Sequence, residues 1–446
     1  MAQASNTYRS IWRISGPIII GLVAQNLMVV IDTAFLGRLG EITLGAAAIG
    51  GIFYLCLVML ATGFGIGSQI IIGRRNGEKK FRLVGPVFDH TLYFMVGLAI
   101  ILFLVLTFFA PSFLQWFLQS EAVLEESLIF LRYRRFGFLF GFLVIAFNAF
   151  YIGTTRTNIL IASTVLMASL NVFLDYSLIF GNFGMPEMGI AGAAMATNIA
   201  EVFTFIFLVF WTCNNSSVST FALFRLSKPN WLHYKPLFKI AVPVMFQYFF
   251  SFSAWFVFFM VIEHIGETAL AASNITRSFY MLLMIPVWGL SSATNSLVSN
   301  LIGQGKSDEV IPLIKKVLLI GVGISFVVVQ ANLFFPEKIA AFFTDEPHLI
   351  EATVPLLRVI SIALIAFSFG MIVFSGLSGT GKTFIALLIE IAAITFYLVT
   401  AFFLAIVMNA GAPAVWFVEV IYFSLLGIFA VLYLRTGKWK VVKILK

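Results

Sequence analysis

Long apolar runs, separated by short breaks rich in charge, glycine or proline, make up nearly all of the 446-residue chain. A run of about 20 apolar residues can cross a bilayer as a helix. The runs therefore predict an all-α polytopic membrane protein with twelve transmembrane helices. We number the predicted spans 1 to 12, and they cover residues 14–37, 45–72, 87–110, 128–152, 159–181, 189–212, 240–262, 268–302, 317–335, 354–376, 384–409 and 414–434.

The composition excludes several classes of protein. Hydrophobic residues make up 61% of the chain and charged residues 11%, whereas soluble domains have about 45–50% and about 25%. Soluble enzymes, nucleic-acid modules and disordered chains are excluded. The polar N-terminus lacks a signal-peptide pattern, so span 1 is predicted to be a true span. The cysteines, Cys56 and Cys213, are isolated, so we expect neither a disulfide scaffold nor a metal site.

The distribution of basic residues predicts the orientation. Cytoplasmic loops are enriched in lysine and arginine, and 21 of the 28 basic residues fall on the side of the N-terminus. Both termini and the loop 213–239 are therefore predicted to be cytoplasmic. The other seven are Arg38, Arg132, Arg134, Arg135, Arg277, Lys338 and Arg358. The cluster Arg132, Arg134 and Arg135 breaks the rule, and the sequence gives no account of it. The net charge of +8 suits an anionic inner leaflet, and we expect no nucleic-acid partner.

The two halves of the chain match at an offset of 226 residues. The offset relates Pro17 to Pro243, Gly40-Glu41 to Gly266-Glu267, Gly63 to Gly289, and Leu131-Arg132 to Leu357-Arg358. Proline, glycine, glutamate and arginine match as well as apolar residues, so shared hydrophobicity does not explain the repeat. We predict two pseudo-symmetric six-helix lobes, 1–212 and 240–446 with its cytoplasmic tail, joined by a cytoplasmic linker over 213–239. Lobes of like topology suit alternating access around a cavity between them.

One stretch matches the sequence pattern of a nucleotide-binding motif. Residues 376–383 read G-L-S-G-T-G-K-T and fit the P-loop pattern. A P-loop needs a preceding strand, whereas this run lies between spans 10 and 11, and its offset partner at 153–157 lacks the pattern. We interpret it as a glycine-rich turn.

Acidic residues inside spans are rare and costly, so each is a functional candidate. Asp32 in span 1 and Asp175 in span 5 are both predicted about 8 Å below the outer surface. Asn171 lies one turn before Asp175 on the same helix face, and Thr197 in span 6 falls at a similar depth. Together these side chains provide oxygen ligands for a small cation. Two adjacent carboxylates can also share a proton, because two like charges repel each other.

This candidate site belongs to the first half only. The offset partners of Asp32, Asn171 and Asp175 are Phe258, Tyr397 and Ala401. The other acids within spans are possible secondary sites, namely Glu201, Glu390 and Glu419. Polar residues concentrated in spans 1, 2, 7 and 8 are predicted to line the substrate cavity, among them Gln25, Gln69, Gln247, Tyr248, Ser251 and Asn295.

With these features the chain resembles the multidrug and toxin extrusion (MATE) family. The stretches that carry the resemblance are D-T-A-F-L-G at 32–37 and G-I-A-G-A-A-M-A-T at 189–197. In the DinF-like branch, which the chain resembles most, a cation site uses an Asp, an Asn–Asp pair and a Thr. The resemblance assigns these roles to Asp32, Asn171, Asp175 and Thr197. Another branch carries acids in helices 7 and 10, and spans 7 and 10 here contain none.

The leading hypothesis is an antiporter that exports amphipathic, often cationic, organic compounds in exchange for H⁺ or Na⁺. It would act as a monomer in the bacterial inner membrane, with no cofactor besides the coupling ion. The alternative is a flippase for a lipid-linked precursor or polysaccharide, which would need a more basic cavity. A membrane enzyme is disfavoured, because the four histidines form no catalytic constellation within the spans: His90, His233, His264 and His348.

Overall fold

A computed structural model describes residues 5–118, 120–216, 218–225 and 228–440, without the side chains of Phe117, Leu232 and His233. Two of the 21 basic residues assigned to the side of the N-terminus, Lys443 and Lys446, lie outside the described residues. Within the described ranges every regular element is helical, which confirms the predicted all-α class. Eleven of the described helices, or twelve if one bent pair counts as a single span, are long and apolar enough to cross a membrane.

Seven α-helices lie among the described residues of the first half of the chain. They are α1 (Tyr8–Gly37), α2 (Glu41–Gly77), α3 (Val84–Phe117), α4 (Glu121–Arg134), α5 (Gly137–Gly153), α6 (Asn158–Phe180) and α7 (Ile190–Asn214). The second half contains α8 (Trp231–Ile265), α9 (Glu267–Gly303), α10 (Val310–Phe334), α11 (Pro336–Ala341), α12 (Pro347–Gly379), α13 (Thr383–Phe402), α14 (Ala412–Trp416) and α15 (Val418–Arg435). A π-helical turn, Phe403–Val407, continues α13.

The repeat seen in the sequence is also a repeat of helix boundaries. Helices α2 and α9 each contain 37 residues and begin 226 positions apart. The 3₁₀ turns that follow them, Phe81–Leu83 and Ser307–Glu309, keep the same offset. The segment α4–α5 begins and ends 226 residues before α12 does. One helical framework is therefore used twice along the chain.

Three connecting turns share an unusual backbone conformation at matched positions. In each pair the backbone is left-handed or otherwise at positive φ, which favours glycine. The pairs are Gly40 (φ 115°) with Gly266 (136°), Lys79 (57°) with Gly305 (77°), and Thr155 (60°) with Gly381 (86°). Gly381 belongs to the run that imitates a P-loop. That run ends α12 and turns into α13, with a helix and not a strand before it.

The prediction of one unbroken helix over 128–152 is wrong. This span consists of α4 and α5, which meet at an angle of 55°. Arg135 and Phe136 separate them. The second half has the continuous helix α12 at the matched positions, so the break is a departure of the first half from the shared framework.

The chain divides into two compact units. One comprises residues 20–245, and the other comprises residues 1–19 with residues 246–446. Each boundary falls within a helix, α1 or α8. In the unit 20–245, Gly63 and Gly67 of α2 leave room for the backbone of α8, and a Cβ at Gly67 would lie 2.3 Å from the Cα of Ala241. The division at 1–212, 213–239 and 240–446 made from the sequence stays a prediction.

Replacement of Gly381 tests the shared turn geometry. Gly381→Ala is expected to lower the free energy of unfolding by about 1 kcal/mol, because a Cβ at this positive φ is strained. Gly97→Ala is the control, since Gly97 lies within α3 with open space around its Cα, and it should be neutral or slightly stabilising. Thermal unfolding in detergent measures both changes. Equal melting temperatures for the two variants would contradict the assigned turn.

Candidate functional site

Four polar side chains from three helices meet within the unit 20–245. Asp32 comes from α1, Asn171 and Asp175 from α6, and Thr197 from α7. Asn171 and Asp175 are each 0% exposed, and Asp32 is half-buried. The Asn171 Nδ2 donates to Thr197 Oγ1 at 3.2 Å. The carboxyl groups of Asp32 and Asp175 are close enough to share a hydrogen bond when one of them is protonated.

Small residues and aromatic packing bring these helices together. Gly192 of α7 lies against the α6 backbone, where a Cβ would come within 2.6 Å of the Leu178 carbonyl oxygen. This contact sets α6 and α7 closely enough for the Asn171–Thr197 hydrogen bond. Phe35 of α1 packs on Phe180 of α6, with ring centroids 5.8 Å apart. The runs 32–37 and 189–197 therefore contribute Asp32 and Thr197 together with Phe35 and Gly192, which pack α1 and α7 against α6.

The site has more acceptors than donors. Within the described part of the chain, four buried oxygen atoms here have no hydrogen-bond partner: Asp32 Oδ1, Asn171 Oδ1 and both carboxyl oxygens of Asp175. No salt bridge among the described residues involves Asp32 or Asp175. Ionised carboxylates are strongly unfavourable in an apolar interior without compensation. This arrangement can therefore take a proton or a small cation, because either one would satisfy the unused oxygens.

Glu201, a possible secondary residue, has a different partner. Arg134 forms a bidentate ion pair with it, with Nη2 2.6 Å from Oε1 and Nη1 3.1 Å from Oε2. The same Nη1 donates to Asn198 Oδ1 at 2.6 Å. The guanidinium also lies over the Tyr54 ring, 4.3 Å from its centroid. Arg134 remains within electrostatic range of Asp32.

This ion pair lies at the break in span 4. Arg134 is the last residue of α4, and its side chain crosses the break toward α7. Gly137 leaves the necessary space, since a Cβ there would lie 1.7 Å from Arg134 Nη1. The offset partners of Arg134 and Glu201 are Ile360 and Gly427. Among the described residues, the ion pair and the break at this position are therefore found in the first half and not at the matched positions of the second. In the sequence, the cluster of arginines that breaks the rule for basic residues marked this region as unusual. That signal did not identify Glu201 as the partner of Arg134.

The other candidates are distributed over both units. Gln25 and Gln69 belong to the unit 20–245, where Gln25 is exposed and Gln69 is buried. The remaining ones belong to the unit that contains residues 246–446: Gln247, Tyr248, Ser251, Asn295, Glu390 and Glu419. Asn295 is buried and Tyr248 half-buried. Ser251, Glu390 and Glu419 take part in a separate hydrogen-bonded cluster, which is described below.

An all-α polytopic fold with an internal repeat is typical of membrane transporters. A family model described as MatE matches residues 17–177 and 243–427, so the chain belongs to the MatE family. It is a transporter and not an enzyme, as the sequence predicted.

Individual relatives extend the comparison over nearly the whole chain. A probable multidrug resistance protein NorM of Thermotoga maritima is 25% identical over 434 residues, covering 94% of this chain and 90% of the relative. A probable NorM of Idiomarina loihiensis is 24% identical, covering 84% and 81%. The structure of a MOP superfamily transporter from Pyrococcus furiosus superposes with a TM-score of 0.89 at 22% identity, covering 97% of this chain and 96% of that one. At that identity the superposition shows a shared fold.

The Arg134–Glu201 ion pair is predicted to contribute to the free energy of unfolding. Arg134→Gln should lower the free energy of unfolding by about 3–5 kcal/mol, because it leaves Glu201 buried without its counter-charge. Adding Glu201→Gln should restore much of this loss, since the isolated charge disappears. Arg132→Gln is the control, because Arg132 is exposed, and it should change stability by less than about 0.5 kcal/mol. Thermal unfolding in detergent provides the comparison. A double variant no more stable than Arg134→Gln would contradict the coupling.

Proposed function

We propose that the protein is an ion-coupled antiporter that exports amphipathic, often cationic, organic compounds in exchange for H⁺ or Na⁺. The observation that carries the proposal is the Asp32–Asp175 pair with its unsatisfied buried oxygens. Entry of the coupling ion would neutralise these carboxyl groups, and its release would ionise them again. Because Asp32 lies on α1 and Asp175 on α6, the change in charge alters the interaction between two helices. Alternating access requires such a coupling between ion binding and helix movement.

The choice of exported compounds rests on the relatives. The Thermotoga maritima and Idiomarina loihiensis proteins are both named probable multidrug resistance proteins. The site supports H⁺ and Na⁺ equally, since two carboxyl groups with an amide and a hydroxyl oxygen can bind either. We assign the chain to the DinF-like branch of the family, because the polar cluster lies in the first half and spans 7 and 10 contain no acidic residue.

We propose that the protein is a monomer in the bacterial inner membrane, with both termini and the linker 213–239 in the cytoplasm. The excess of basic residues on the side of the N-terminus supports this orientation. The partners are a small organic molecule and the lipid bilayer, with no cofactor besides the coupling ion.

A flippase for a lipid-linked precursor or polysaccharide is the alternative function. It would bind phosphate groups and would therefore need available basic side chains within the membrane. The buried Arg134 is committed to Glu201 and Asn198, and Arg135 donates to Thr107 Oγ1. These commitments reduce the basic side chains that could bind phosphate, which favours the antiporter.

Neutralising the aspartates should abolish coupling. Asp32→Asn and Asp175→Asn are each expected to reduce gradient-driven export of the lipophilic cationic dye ethidium by about 10-fold or more, because the amides cannot take up and release the ion. Purified protein in proteoliposomes is tested first with an imposed pH gradient and then with an imposed Na⁺ gradient. The gradient that drives export in the wild type identifies the ion.

Asp345→Asn is the matched control, because Asp345 is an exposed residue between α11 and α12. It should export the dye like the wild type. Full gradient-driven export by Asp32→Asn would defeat the assignment of the site. Binding of the dye by each variant, measured by fluorescence polarisation, separates a loss of coupling from a loss of folding.

A further inference from the structure

A second cluster of buried acids joins α13 and α15. Each of these helices contributes one glutamate and one tyrosine, and the contacts are reciprocal. The Tyr422 hydroxyl of α15 donates to Glu390 Oε1 of α13. The Tyr397 hydroxyl of α13 donates to Glu419 Oε1 of α15 at 2.8 Å. The two tyrosine rings contact each other, with centroids 5.3 Å apart. The cluster is thus one connected arrangement within the unit that contains residues 246–446.

Both carboxyl groups are deeply buried. Glu390 is 2% exposed and Glu419 is 3% exposed. Aromatic residues surround them, and no basic side chain among the described residues forms a salt bridge with either. In the first half, Arg134 compensates the charge of the buried Glu201. The Glu390–Glu419 cluster offers hydroxyl donors instead. Lone carboxylates in such a setting are costly, and binding a proton removes the charge.

The contacts of Ser251 leave room for a proton on Glu390. Its Oγ lies 2.8 Å from the Gln247 carbonyl oxygen and 2.5 Å from Glu390 Oε1. A serine hydroxyl has one proton to donate, and the carbonyl oxygen can only accept. When Ser251 donates to the carbonyl, the short contact to Glu390 needs a proton on the carboxyl group. Glu390 then donates to Ser251 while it accepts from Tyr422. The geometry therefore accommodates a protonated Glu390 with all of these contacts satisfied.

The Tyr280 hydroxyl lies within electrostatic range of Glu419. It is buried and has no hydrogen-bond partner within the described residues, and Tyr280 is 1% exposed. The hydroxyl groups of Tyr397 and Tyr422 can donate to an ionised carboxylate and also to the carbonyl oxygen of a protonated carboxyl group. The cluster can therefore hold its carboxyl groups in either charge state.

The repeat shows that this cluster is not a remnant of the first site. Tyr397 and Phe258 occupy the positions that correspond to Asn171 and Asp32, and their rings stack with centroids 5.4 Å apart. Glu390 and Glu419 correspond to Thr164 and Ala193. The acids of the second half therefore occupy positions that hold no acid in the first half.

We propose that Glu390 and Glu419 form a second proton-binding site in the second half of the transporter. The proton comes from water, binds a carboxylate oxygen to form the neutral acid, and returns to water as the carboxylate forms again. The site goes beyond the proposed antiport site, since it lies on other helices and does not require Asp32 and Asp175 to take a proton. A proton suits the hydroxyl-rich, aromatic surroundings, because it needs no shell of oxygen ligands.

Counting protons and observing the carboxyl groups tests the proposal. Purified protein in detergent is titrated from acidic to alkaline pH, and infrared difference spectra record the C=O band of protonated carboxyl groups. The variant Glu390→Gln/Glu419→Gln should release about one to two fewer protons per molecule than the wild type. It should also lose part of the band. Asp32→Asn/Asp175→Asn should retain that part, which separates this proposal from the proposed function.

Ser251→Ala provides a test with a conservative change. It removes the acceptor for the Glu390 proton, so the remaining carboxyl band should shift in frequency while the protein stays folded. Gel filtration and circular dichroism establish folding, and the single variants Glu390→Gln and Glu419→Gln replace the double variant if it does not fold. Unchanged proton release together with an unchanged band would overturn the proposal. So would displacement of the protons by Na⁺, but not choline, in the wild type and not in the Glu390→Gln/Glu419→Gln variant.

Discussion

The cost of placing a carboxyl group inside a bundle of apolar helices governs this structure. Without water, such a group needs a basic partner, a bound cation or its own proton. The acidic residues within the spans are stabilised in different ways. Glu201 is paired with Arg134. Asp32 and Asp175 face each other without a basic partner among the described residues, and Glu390 and Glu419 are held by hydroxyl groups. Only the last two arrangements leave the charge state free to change, which an ion-coupled transporter requires.

The internal repeat provides the framework, and the buried polar clusters lie where the halves differ. Helix boundaries, a 3₁₀ turn and positive-φ turns recur at an offset of 226 residues. Within the described part of the chain, the break between α4 and α5 and the Arg134–Glu201 pair belong to the first half and have no counterpart at the matched positions. The Glu–Tyr cluster belongs to the second half. The repeat thus accounts for the shared helix boundaries, while side chains that differ at matched positions determine which buried polar cluster each half contains.

Much of the fold could be predicted from the sequence, because runs of apolar residues and the repeat are strong and local signals. The twelve predicted spans correspond to the observed helices, with span 4 divided between α4 and α5 and span 12 between α14 and α15. The meeting of Asp32 with Asp175 could be anticipated from depth and helix periodicity. The partner of Arg134 could not, since Glu201 lies 67 residues away and pairing across that distance depends on Gly137 and the bend. The links of Glu390 to Tyr422 and of Glu419 to Tyr397 likewise arise only from helix packing.

The central claim is that ion entry at Asp32 and Asp175 accompanies export. Simultaneous recording of ethidium efflux and of H⁺ or Na⁺ influx, in proteoliposomes that start without an ion gradient, measures this most directly. The account predicts an ion influx that begins with dye efflux and is absent in Asp175→Asn. Dye efflux without any ion movement, or an equal ion influx in Asp175→Asn, would contradict it.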